Sequence, residues 1–401
     1  MSELAGRGRP DQEATDPSAV DASAGTRVIE AENGIEQLGA LALEFGRRAL
    51  IVTDEGLVTA GHVERAEASL RAADVEHERF SDLVANPTTD DVELCVRAMR
   101  SFQPDLLIAL GGGSCMDVAK GANFIHCCGG RLEDYWGVEK ATADLLPMIA
   151  VPTTAGTGSE VQSFALIARA EDHQKMACGD SRAAPRIALL DPTLTTSLSA
   201  FVTACTGIDA IGHAVEALVT TKGTEVSTRL AREAFLLADR AFPRVIAEPD
   251  SLAGRGQMLR AAALAGRAIE NSMLGAAHSM ANPLTAQHGV PHGQAVGMCL
   301  PFVVRFNATD PRVATAYAEL ARAAGLAAAG SSDDAAVDAL HARLVEYLRL
   351  ASLPTSLADC GVELGGCGAL AEEAARQWTA QFNPREIDVQ GFTDLFLEAC
   401  A

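Results

Sequence analysis

Four residues of this 401-residue chain have side chains and spacing suited to a divalent metal ion. Asp209 and His213 lie four positions apart, so on a helix they share one face and can reach the same ion. His278 and His292 follow about two-thirds of the way along the chain. One carboxylate and three imidazoles suit Fe(II), Zn(II), Co(II) or Ni(II) better than Ca(II) or Mg(II). The spacing alone also allows a helix-surface hydrogen bond and two polar residues flanking a turn.

A glycine triplet at residues 111–113 is a second candidate for chemistry. It follows an apolar run at 105–110 and leads into a helical segment. Glycines let the backbone approach an anion closely, and the N–H groups of a first helical turn point towards it. The triplet is neither the Gly-x-Gly-x-x-Gly pattern nor a Walker loop, because Lys120 is wrongly placed for the latter. A tight turn is the alternative interpretation.

Two further strand ends carry polar residues that could contact a dinucleotide. Asp54 ends the apolar run at 48–54, where a carboxylate can bind a ribose diol and repel a 2′-phosphate, which favours NAD over NADP. Its alternative role is an ordinary turn or cap aspartate. Residues 153–160 follow the apolar run at 146–152 and are rich in threonine and glycine. They could hold a pyrophosphate or a nicotinamide, or simply form a loop before a helix.

The elements that must position these residues differ between the two halves of the chain. Short apolar runs alternate with helical periodicity up to the Asp191-Pro192 junction, which predicts a doubly wound, Rossmann-like parallel sheet. From about Thr203 onward the apolar residues recur at helical spacing. We therefore expect a disordered tail at 1–25, an α/β dinucleotide-binding domain at 26–195 and an all-α metal-binding domain at 196–401.

Composition narrows the possible classes of protein. Hydrophobic residues make up 48% of the chain, and the formal net charge of −21 disfavours binding to nucleic acid. We find no signal peptide and no stretch apolar enough to cross a bilayer. The ten cysteines show no regular disulfide spacing, so we expect a cytoplasmic protein with reduced thiols. The vicinal Cys127 and Cys128 are interpreted as packing residues rather than a redox pair.

Taken together, the motifs resemble the iron-containing (group III) alcohol dehydrogenase family, relatives of lactaldehyde reductase, butanol dehydrogenase and 1,3-propanediol dehydrogenase. The resemblance extends over nearly all of the chain from about residue 27. Its motifs are Gly111-Gly112-Gly113-Ser114-x-x-Asp117, Pro152-Thr153-Thr154-Ala155-Gly156-Thr157-Gly158-Ser159-Glu160, Asp209-Ala210-x-x-His213-Ala214-x-Glu216, and His278-x-x-Ala281-x-Pro283-Leu284 followed by Pro291-His292-Gly293.

The resemblance implies the dehydroquinate synthase-like architecture of this family, with the active site in a cleft between the two domains. It implies that the metal, usually Fe(II) and sometimes Zn(II), is bound by Asp209, His213, His278 and His292. It implies NAD(H) rather than NADP(H) as the dinucleotide. The implied cofactor contacts are Gly112, Gly113, Ser114 and Asp117 at the pyrophosphate, Asp54 at the ribose, Asn86, Thr153, Thr154 and Thr157, and, on a looser local match, Lys175.

The implied reaction is hydride transfer between NAD(H) and a small primary or secondary alcohol or aldehyde, with the metal as Lewis acid. The resemblance also implies a homodimer or larger homo-oligomer. One position departs from the family: many members have a histidine, a proton relay near the nicotinamide, where this chain has Asn282. An amide cannot act as general acid or base near neutral pH, so water, another group or His288 would carry the proton. Phe164 is our candidate for a pocket wall, with a core role as its alternative.

Three other interpretations are weaker. Asn383-Pro384-Arg385 is similar to maleylacetate reductases and to reductases of small acidic aldehydes, but a complete metal set argues against the former. A dehydroquinate-synthase-type lyase fits the motifs less well than a dehydrogenase. A non-catalytic nucleotide- and metal-binding relative, with Asn282 as a sign of decay, would not need all four metal ligands.

Overall fold

The computed structural model describes residues 25–171 and 174–401. The tail predicted at 1–25 therefore lies almost entirely outside the described residues. The strands are β1 (Arg27–Glu30), β2 (Arg48–Val52), β3 (Glu76–Phe80), β4 (Leu106–Gly111), β5 (Gly137–Val138), β6 (Met148–Pro152), β7 (Phe164–Ala168), β8 (Lys175–Gly179) and β9 (Ile187–Leu190). The helices are α1 (Leu38–Ala42), α2 (Glu55–Thr59), α3 (His62–Ala72), α4 (Thr89–Phe102), α5 (Gly113–Cys128), α6 (Ala200–Val219), α7 (Glu225–Ala247), α8 (Leu252–Glu270), α9 (Ala276–His288), α10 (His292–Asn307), α11 (Pro311–Ala323), α12 (Asp333–Leu350), α13 (Cys367–Arg376) and α14 (Val389–Cys400).

A six-stranded sheet forms the centre of the first half, in the order β1-β9-β6-β4-β2-β3. Every pairing in it is parallel. β4 and β6 are fully buried, as expected for apolar runs covered by helices on both faces. The chain moves to opposite sides of β2 when it forms β3 and then β4, so the sheet has a topological switch point there. The predicted doubly wound parallel sheet is confirmed.

A second, three-stranded sheet was not predicted. β5, β8 and β7 lie side by side in that order, with β7 and β8 antiparallel. β7 alternates buried and half-buried residues over five positions. A pattern this short does not stand out from loop sequence. Near it, Cys127 and Cys128 are half-buried and pack against the apolar core of the first half.

Helices α6–α14 form the second half, as the helical periodicity predicted, around one large apolar core. Contrary to our expectation from sequence, one helix among the described residues, α6, is apolar enough to cross a membrane by length and composition. However, 72% of its apolar window is buried within the protein. The helix is apolar on nearly all sides because it lies in the middle of the helical half.

Buried bonds from α8 join the two halves. Arg255 donates to the carbonyl of Thr195 at 2.5 Å, and Arg267 donates to the carbonyl of Thr26 at 2.6 Å. On the same helix, the backbone of Gly266 touches that of Gly158 in the loop after β6. A Cβ on Gly158 would lie 2.6 Å from Gly266 Cα, and the φ of Gly158 is +66°, so both space and backbone conformation require glycine there.

Candidate active site

Three adjacent strands of the large sheet end at the same edge, and each presents predicted cofactor residues there. Asp54 follows β2, Gly112 and Gly113 follow β4, and Thr153 and Thr154 follow β6. Because β6, β4 and β2 are neighbours in a parallel sheet, these residues share one side of the switch point. The N-terminus of α5 at Gly113 directs its free N–H groups to the same place.

Gly113 of the β4–α5 loop is needed because a second loop packs closely against it. A Cβ on Gly113 would lie 2.9 Å from the side chain of Thr157, which is too close for an ordinary contact. A Cβ on Gly112 would meet the side chain of Thr154 at 3.4 Å, which is an ordinary contact. The glycine triplet therefore lets two loops approach each other as well as leaving room for an anion.

Asp54 caps a helix and is also held on its other side. Its Oδ1 accepts from the N–H of Leu57 at 3.1 Å at the start of α2, as the cap interpretation predicted. The thiol of Cys115 donates to Oδ2 at 3.5 Å. Both oxygens are thus engaged by the protein, and the carboxylate has a fixed orientation beside the β4–α5 loop.

Lys120 is not a phosphate-binding lysine here but a buried link between two loops. Its Nζ donates to the carbonyl and hydroxyl of Ser159, at 2.7 and 2.9 Å, and to the carbonyl of Phe164 at 3.1 Å. The Ser159 hydroxyl donates to Oδ1 of Asp117 at 3.0 Å. Burial lowers the pKa of Lys120 and raises that of Asp117, while their mutual attraction opposes both shifts.

A cavity of about 950 Å³ opens between the two halves. Its lining includes all ten predicted cofactor residues, Asp54, Asn86, Gly112, Gly113, Ser114, Asp117, Thr153, Thr154, Thr157 and Lys175. It also includes Asp209, His213 and His292. The predicted cofactor and metal residues are therefore brought to one cavity, although they come from segments more than 200 residues apart.

The four predicted metal ligands meet around one carboxylate oxygen. Oδ1 of Asp209 lies 3.6 Å from Nε2 of His213, 3.5 Å from Nε2 of His278 and 3.7 Å from Nε2 of His292. Asp209 and His213 share one face of α6, His278 lies in the first turn of α9, and His292 begins α10. Three rigid helices thus fix the four side chains, and the helical i, i+4 prediction for the first pair holds.

The cluster fits a divalent cation on its own chemistry. Asp209 Oδ1 and His278 Nε2 are buried and have no hydrogen-bond partner. Buried polar atoms are nearly always paired, and leaving one unpaired costs about 1–3 kcal/mol. A cation among one oxygen and three nitrogen donors would satisfy both atoms, and this donor set suits Fe(II) or Zn(II).

Glu216 supports the cluster through a hydrogen bond to His278, a role that the sequence interpretation did not assign to it. Its Oε2 accepts from Nδ1 of His278 at 2.5 Å, and its Oε1 accepts from the N–H of Ala277 at 2.6 Å. This carboxylate leaves Nε2 of His278 as the nitrogen that faces Asp209. The sequence contained a signal for this role, because Glu216 follows Asp209 by seven positions and His213 by three, on one helical face.

Sequence and structure comparisons agree with this geometry. The profile described as iron-containing alcohol dehydrogenase matches residues 25–192, and that of the Fe-containing alcohol dehydrogenase family, C-terminal, matches residues 203–400. The chain belongs to the iron-containing alcohol dehydrogenase family. Among its relatives, 1-propanol dehydrogenase PduQ of Citrobacter freundii is 33% identical over 378 residues, covering 93% of this chain and 98% of that one.

Two further relatives cover the same extent. The NAD-dependent methanol dehydrogenase of Bacillus methanolicus is 31% identical over 374 residues, covering 93% of this chain and 96% of that one. The crystal structure of a 1,3-propanediol oxidoreductase aligns with a TM-score of 0.90 at 32% identity, covering 93% of this chain and 97% of that one. The predicted family, its two-part fold and the predicted class of enzyme, a metal-dependent NAD(H) oxidoreductase of alcohols and aldehydes, are confirmed.

The electrostatics of this alcohol dehydrogenase site favour ligands ready to bind a cation. Burial lowers the pKa of His292 to about 3 and also lowers that of His213, which favours the neutral form that an imidazole needs to bind a metal ion. Burial acts against ionised Asp209, but the surrounding histidines hold its pKa well below the usual range. Burial also lowers the pKa of His278, yet Glu216 and Asp209 raise it overall to about 9. A metal ion must displace the proton that this raised pKa retains.

Asn282 and His288, the residues considered for proton transfer, are not among the described residues that line the cavity. The Asn282 amide donates to Oε1 of Gln377 at 3.0 Å. His288 is exposed at the end of α9. Phe164, by contrast, lines the cavity as predicted.

Several residues of the alcohol dehydrogenase cavity escaped the sequence interpretation. They come from the C-terminal end of α8, the loop after it and a distant 3-10 helix: Ile269, Glu270, Met273, Leu274 and Trp378. Glu270 accepts from both the N–H and the hydroxyl of Ser163. Nothing in the local sequence of these residues marks them as part of a site.

Proposed function

We propose that this enzyme interconverts small aldehydes and primary or secondary alcohols, with Fe(II) bound by Asp209, His213, His278 and His292. The observation that carries the proposal is the approach of three imidazole nitrogens to within 3.5–3.7 Å of one buried carboxylate oxygen. Asp209 lines the same cavity as the cofactor cradle, by which we mean the predicted dinucleotide contacts at the ends of β2, β4 and β6. Zn(II) fits the same donors, so metal analysis must decide between the two ions.

When bound, the cation would polarise the substrate oxygen as a Lewis acid, and the nicotinamide would supply or accept the hydride. Residues of the chain contribute orientation, charge and the shape of the cavity. The carboxylate of Glu216 keeps Nε2 of His278 directed at the cluster. The negative charge of Asp209 offsets part of a cation's charge. The cavity between the halves holds dinucleotide and substrate in a fixed relation, which is the main contribution of a protein to cofactor chemistry.

We assign the cofactor cradle to NAD(H). The carboxylate of Asp54 would accept hydrogen bonds from the ribose diol, and its fixed negative charge disfavours a 2′-phosphate. Gly112, Gly113, Ser114 and Asp117 would surround the pyrophosphate. Thr153, Thr154 and Thr157 from the loop after β6, Asn86 from the loop after β3 and Lys175 from the small sheet would complete the contacts. The NAD dependence of the methanol dehydrogenase relative supports this choice.

We infer that Asn282 takes no part in proton transfer. An amide does not titrate near neutral pH, and this one is bonded to Gln377 rather than directed into the cavity. The proton must therefore travel through water in the cavity or through a different group. We also propose that the two domains divide at 195/196 and that the protein is cytoplasmic. We propose further that it forms a homodimer or larger homo-oligomer, and light scattering of the purified protein would test this oligomeric state.

The decisive experiment is metal reconstitution of the chelated protein. NADH oxidation would be followed with short linear aldehydes after Fe(II) or Zn(II) is added back, with metal content measured on the same samples. We expect no turnover without metal and the largest recovery with Fe(II). An aldehyde that carries a carboxylate should react more slowly than its uncharged counterpart of equal length. Tight binding of metal and NADH with no turnover of any aldehyde would show instead a non-catalytic relative.

A further inference from the structure

Two aromatic rings form one wall of the cavity. Phe164 in β7 and Trp378 lie with ring centroids 6.2 Å apart and planes tilted by 33°. Both line the cavity together with Ile269, Met273 and Leu274. Trp378 is 40% exposed, so part of a large apolar ring remains accessible to a ligand in the cavity. An exposed apolar wall in a ligand cavity is a surface for apolar parts of a ligand.

The charges around this wall argue against an anionic substrate. Among the described residues that line the cavity, Lys175 is the one lysine or arginine. Carboxylates of the lining outnumber it and include Asp117 and Glu270. A substrate carboxylate or sulfonate is usually held by an arginine pair, which this lining does not provide.

The segment that carries Trp378 is fixed to α9, the helix that also carries His278. Three successive positions on one face of α9 make the contacts. The N–H of Ala276 donates to Oδ1 of Asn383 at 3.3 Å, the hydroxyls of Ser279 and Thr379 are 2.7 Å apart, and Asn282 donates to Gln377 at 3.0 Å. The spacing of three residues matches one turn of helix. These bonds hold residues 377–383 along the metal-binding helix.

Asn282 and Ser279 make the contacts on either side of Trp378, because Gln377 immediately precedes the tryptophan and Thr379 immediately follows it. The indole also packs edge-on against Phe382, with ring centroids 6.1 Å apart. The histidine that the family resemblance implies at position 282 would have a different shape and different donors from an amide. The residue that departs from the family is therefore the one that fixes the start of the tryptophan segment.

We propose that Trp378 and Phe164 determine specificity for aldehydes and alcohols with uncharged apolar tails, and that Asn282 is a positioning residue that fixes Trp378 through Gln377. The proposal rests on the proposed function and names its substrate class. An added CH₂ that packs on the wall contributes about 0.8 kcal/mol, which corresponds to roughly four-fold in kcat/KM. Selectivity should therefore increase with chain length until the wall is covered.

The first test measures kcat and KM for linear aldehydes from acetaldehyde to octanal. The wild-type value of kcat/KM should rise about four-fold per CH₂ over the first few carbons. Trp378→Ala should flatten this rise and lower kcat/KM for hexanal by roughly ten-fold or more, with most of the change in KM. Its kcat/KM for acetaldehyde, which has the least apolar surface to pack on the wall, should fall less than that for hexanal. Asn282→Ala and Gln377→Ala should flatten the rise to a smaller extent.

A double-mutant cycle separates positioning from other roles of the pair. If the amide pair acts as one unit, Asn282→Ala/Gln377→Ala should flatten the chain-length profile no more than either single change. Exchange of the two residues, Asn282→Gln/Gln377→Asn, keeps both amides and should restore part of the profile. Metal content and NADH affinity should be unchanged in all these variants, since none of the positions binds metal or cofactor.

A spectroscopic test does not depend on turnover. The chain has two tryptophans, so Trp136→Phe leaves Trp378 as the only indole. In that background, Asn282→Ala should increase the quenching of Trp378 by acrylamide, and hexanol should protect the indole more than ethanol does. As a matched control, Gln390→Ala removes an amide that bonds Asp394 on the surface of α14 and should change neither signal.

Three results would overturn the proposal while leaving the enzyme class intact. The chain-length profile of Trp378→Ala could match wild type, Asn282→Ala could lower kcat equally for every aldehyde, or indole quenching could be insensitive to Asn282. The second result would indicate a role for Asn282 at the reacting atoms. A wild-type protein that binds metal and NADH but turns over no aldehyde would instead contradict the proposed function. The quenching comparison would still test whether Asn282 fixes Trp378 through Gln377.

Discussion

The cofactor cradle and the metal cluster share one cavity but differ in how their polar groups are satisfied. In the cradle, both oxygens of Asp54 accept hydrogen bonds from the protein, and Lys120 makes three. In the metal cluster, Asp209 Oδ1 and His278 Nε2 are buried with no hydrogen-bond partner. The side chains of Asp54 and Lys120 are therefore paired within the protein, whereas two buried atoms of the cluster would gain a partner from a bound cation.

This difference reflects the elements that carry each region. The cradle is made of loops at strand ends, which can adjust until their donors and acceptors meet. The cluster lies on α6, α9 and α10, three packed helices that hold the four predicted ligands close together. We expect chelation to lower thermal stability more than removal of NADH does. Removing a ligand that is present at 1,000 times its Kd lowers the free energy of unfolding by about 4 kcal/mol.

The largest effect should come from opening the cluster. His278→Ala removes one nitrogen ligand, so metal content and turnover should fall together, turnover by more than about 100-fold. NADH binding should persist, because the cradle does not depend on the cluster. Metal analysis and NADH titration of the same preparation would show this. The control is His288→Ala, at the exposed end of the same helix. Full metal content and full rate in His278→Ala would disprove the assignment.

A smaller effect should follow from weakening the support of the cluster. Glu216→Gln keeps the shape of the side chain but removes the charge that holds His278 Nδ1. Loss of such support typically lowers metal affinity by about 10- to 100-fold, and excess Fe(II) should then rescue much of the rate. Competition with a chelator of known affinity would measure the change. Glu319→Gln, on the surface of α11, is the matched control. Unchanged metal affinity would mean that Glu216 only caps α9.

The cradle should respond to crowding rather than to loss of a ligand. In Gly113→Ala, the new Cβ would lie 2.9 Å from Thr157, and the two loops must separate. Overpacking of this kind costs roughly 1–3 kcal/mol, so KM for NADH should rise by about ten-fold or more while metal content stays constant. In Gly112→Ala, the new Cβ would lie 3.4 Å from the side chain of Thr154, which is an ordinary contact. The melting temperature should therefore stay closer to wild type. Equal melting temperatures for both variants would contradict the close packing of the loops.

The smallest effect should be on the choice between dinucleotides. Asp54→Asn keeps a side chain that can cap α2 but loses the negative charge. One charge pair near a solvated surface contributes about 1 kcal/mol, so the NADPH/NADH preference should increase roughly five-fold. Steady-state kinetics with both cofactors would measure it, with Asp82→Asn as an exposed control. A constant preference would place the ribose away from Asp54.

The same contrast explains what the sequence could predict. Residues of the cradle follow buried apolar runs, and neighbouring parallel strands end at one edge, so the pattern could predict that Asp54 and Gly113 meet there. The i, i+4 spacing of Asp209 and His213 predicted a shared ligand face, although their convergence with His278 needed the fold. Glu216 was missed even though its helical spacing placed it on that face.

Other parts had no local signal. Trp378 reaches the cavity because residues 377–383 dock on α9, and nothing in the sequence near it records that docking. The β7–β8 pair is too short for its alternation to be distinctive. α6 has the composition of a membrane span because a helix surrounded by other helices is apolar for the same reason as one surrounded by lipid.

The two buried arginines of α8 have a consequence for the rate of turnover. Arg255 and Arg267 bind carbonyls at two separate points of the sheet half, and Gly266 of the same helix touches Gly158. A wide hinge opening would expose or break these charged hydrogen bonds, each of which contributes about 1.5–3 kcal/mol. Cofactor exchange should therefore proceed through motions of loops and side chains at the cavity mouth. If release of the dinucleotide limits turnover, those local motions set its speed.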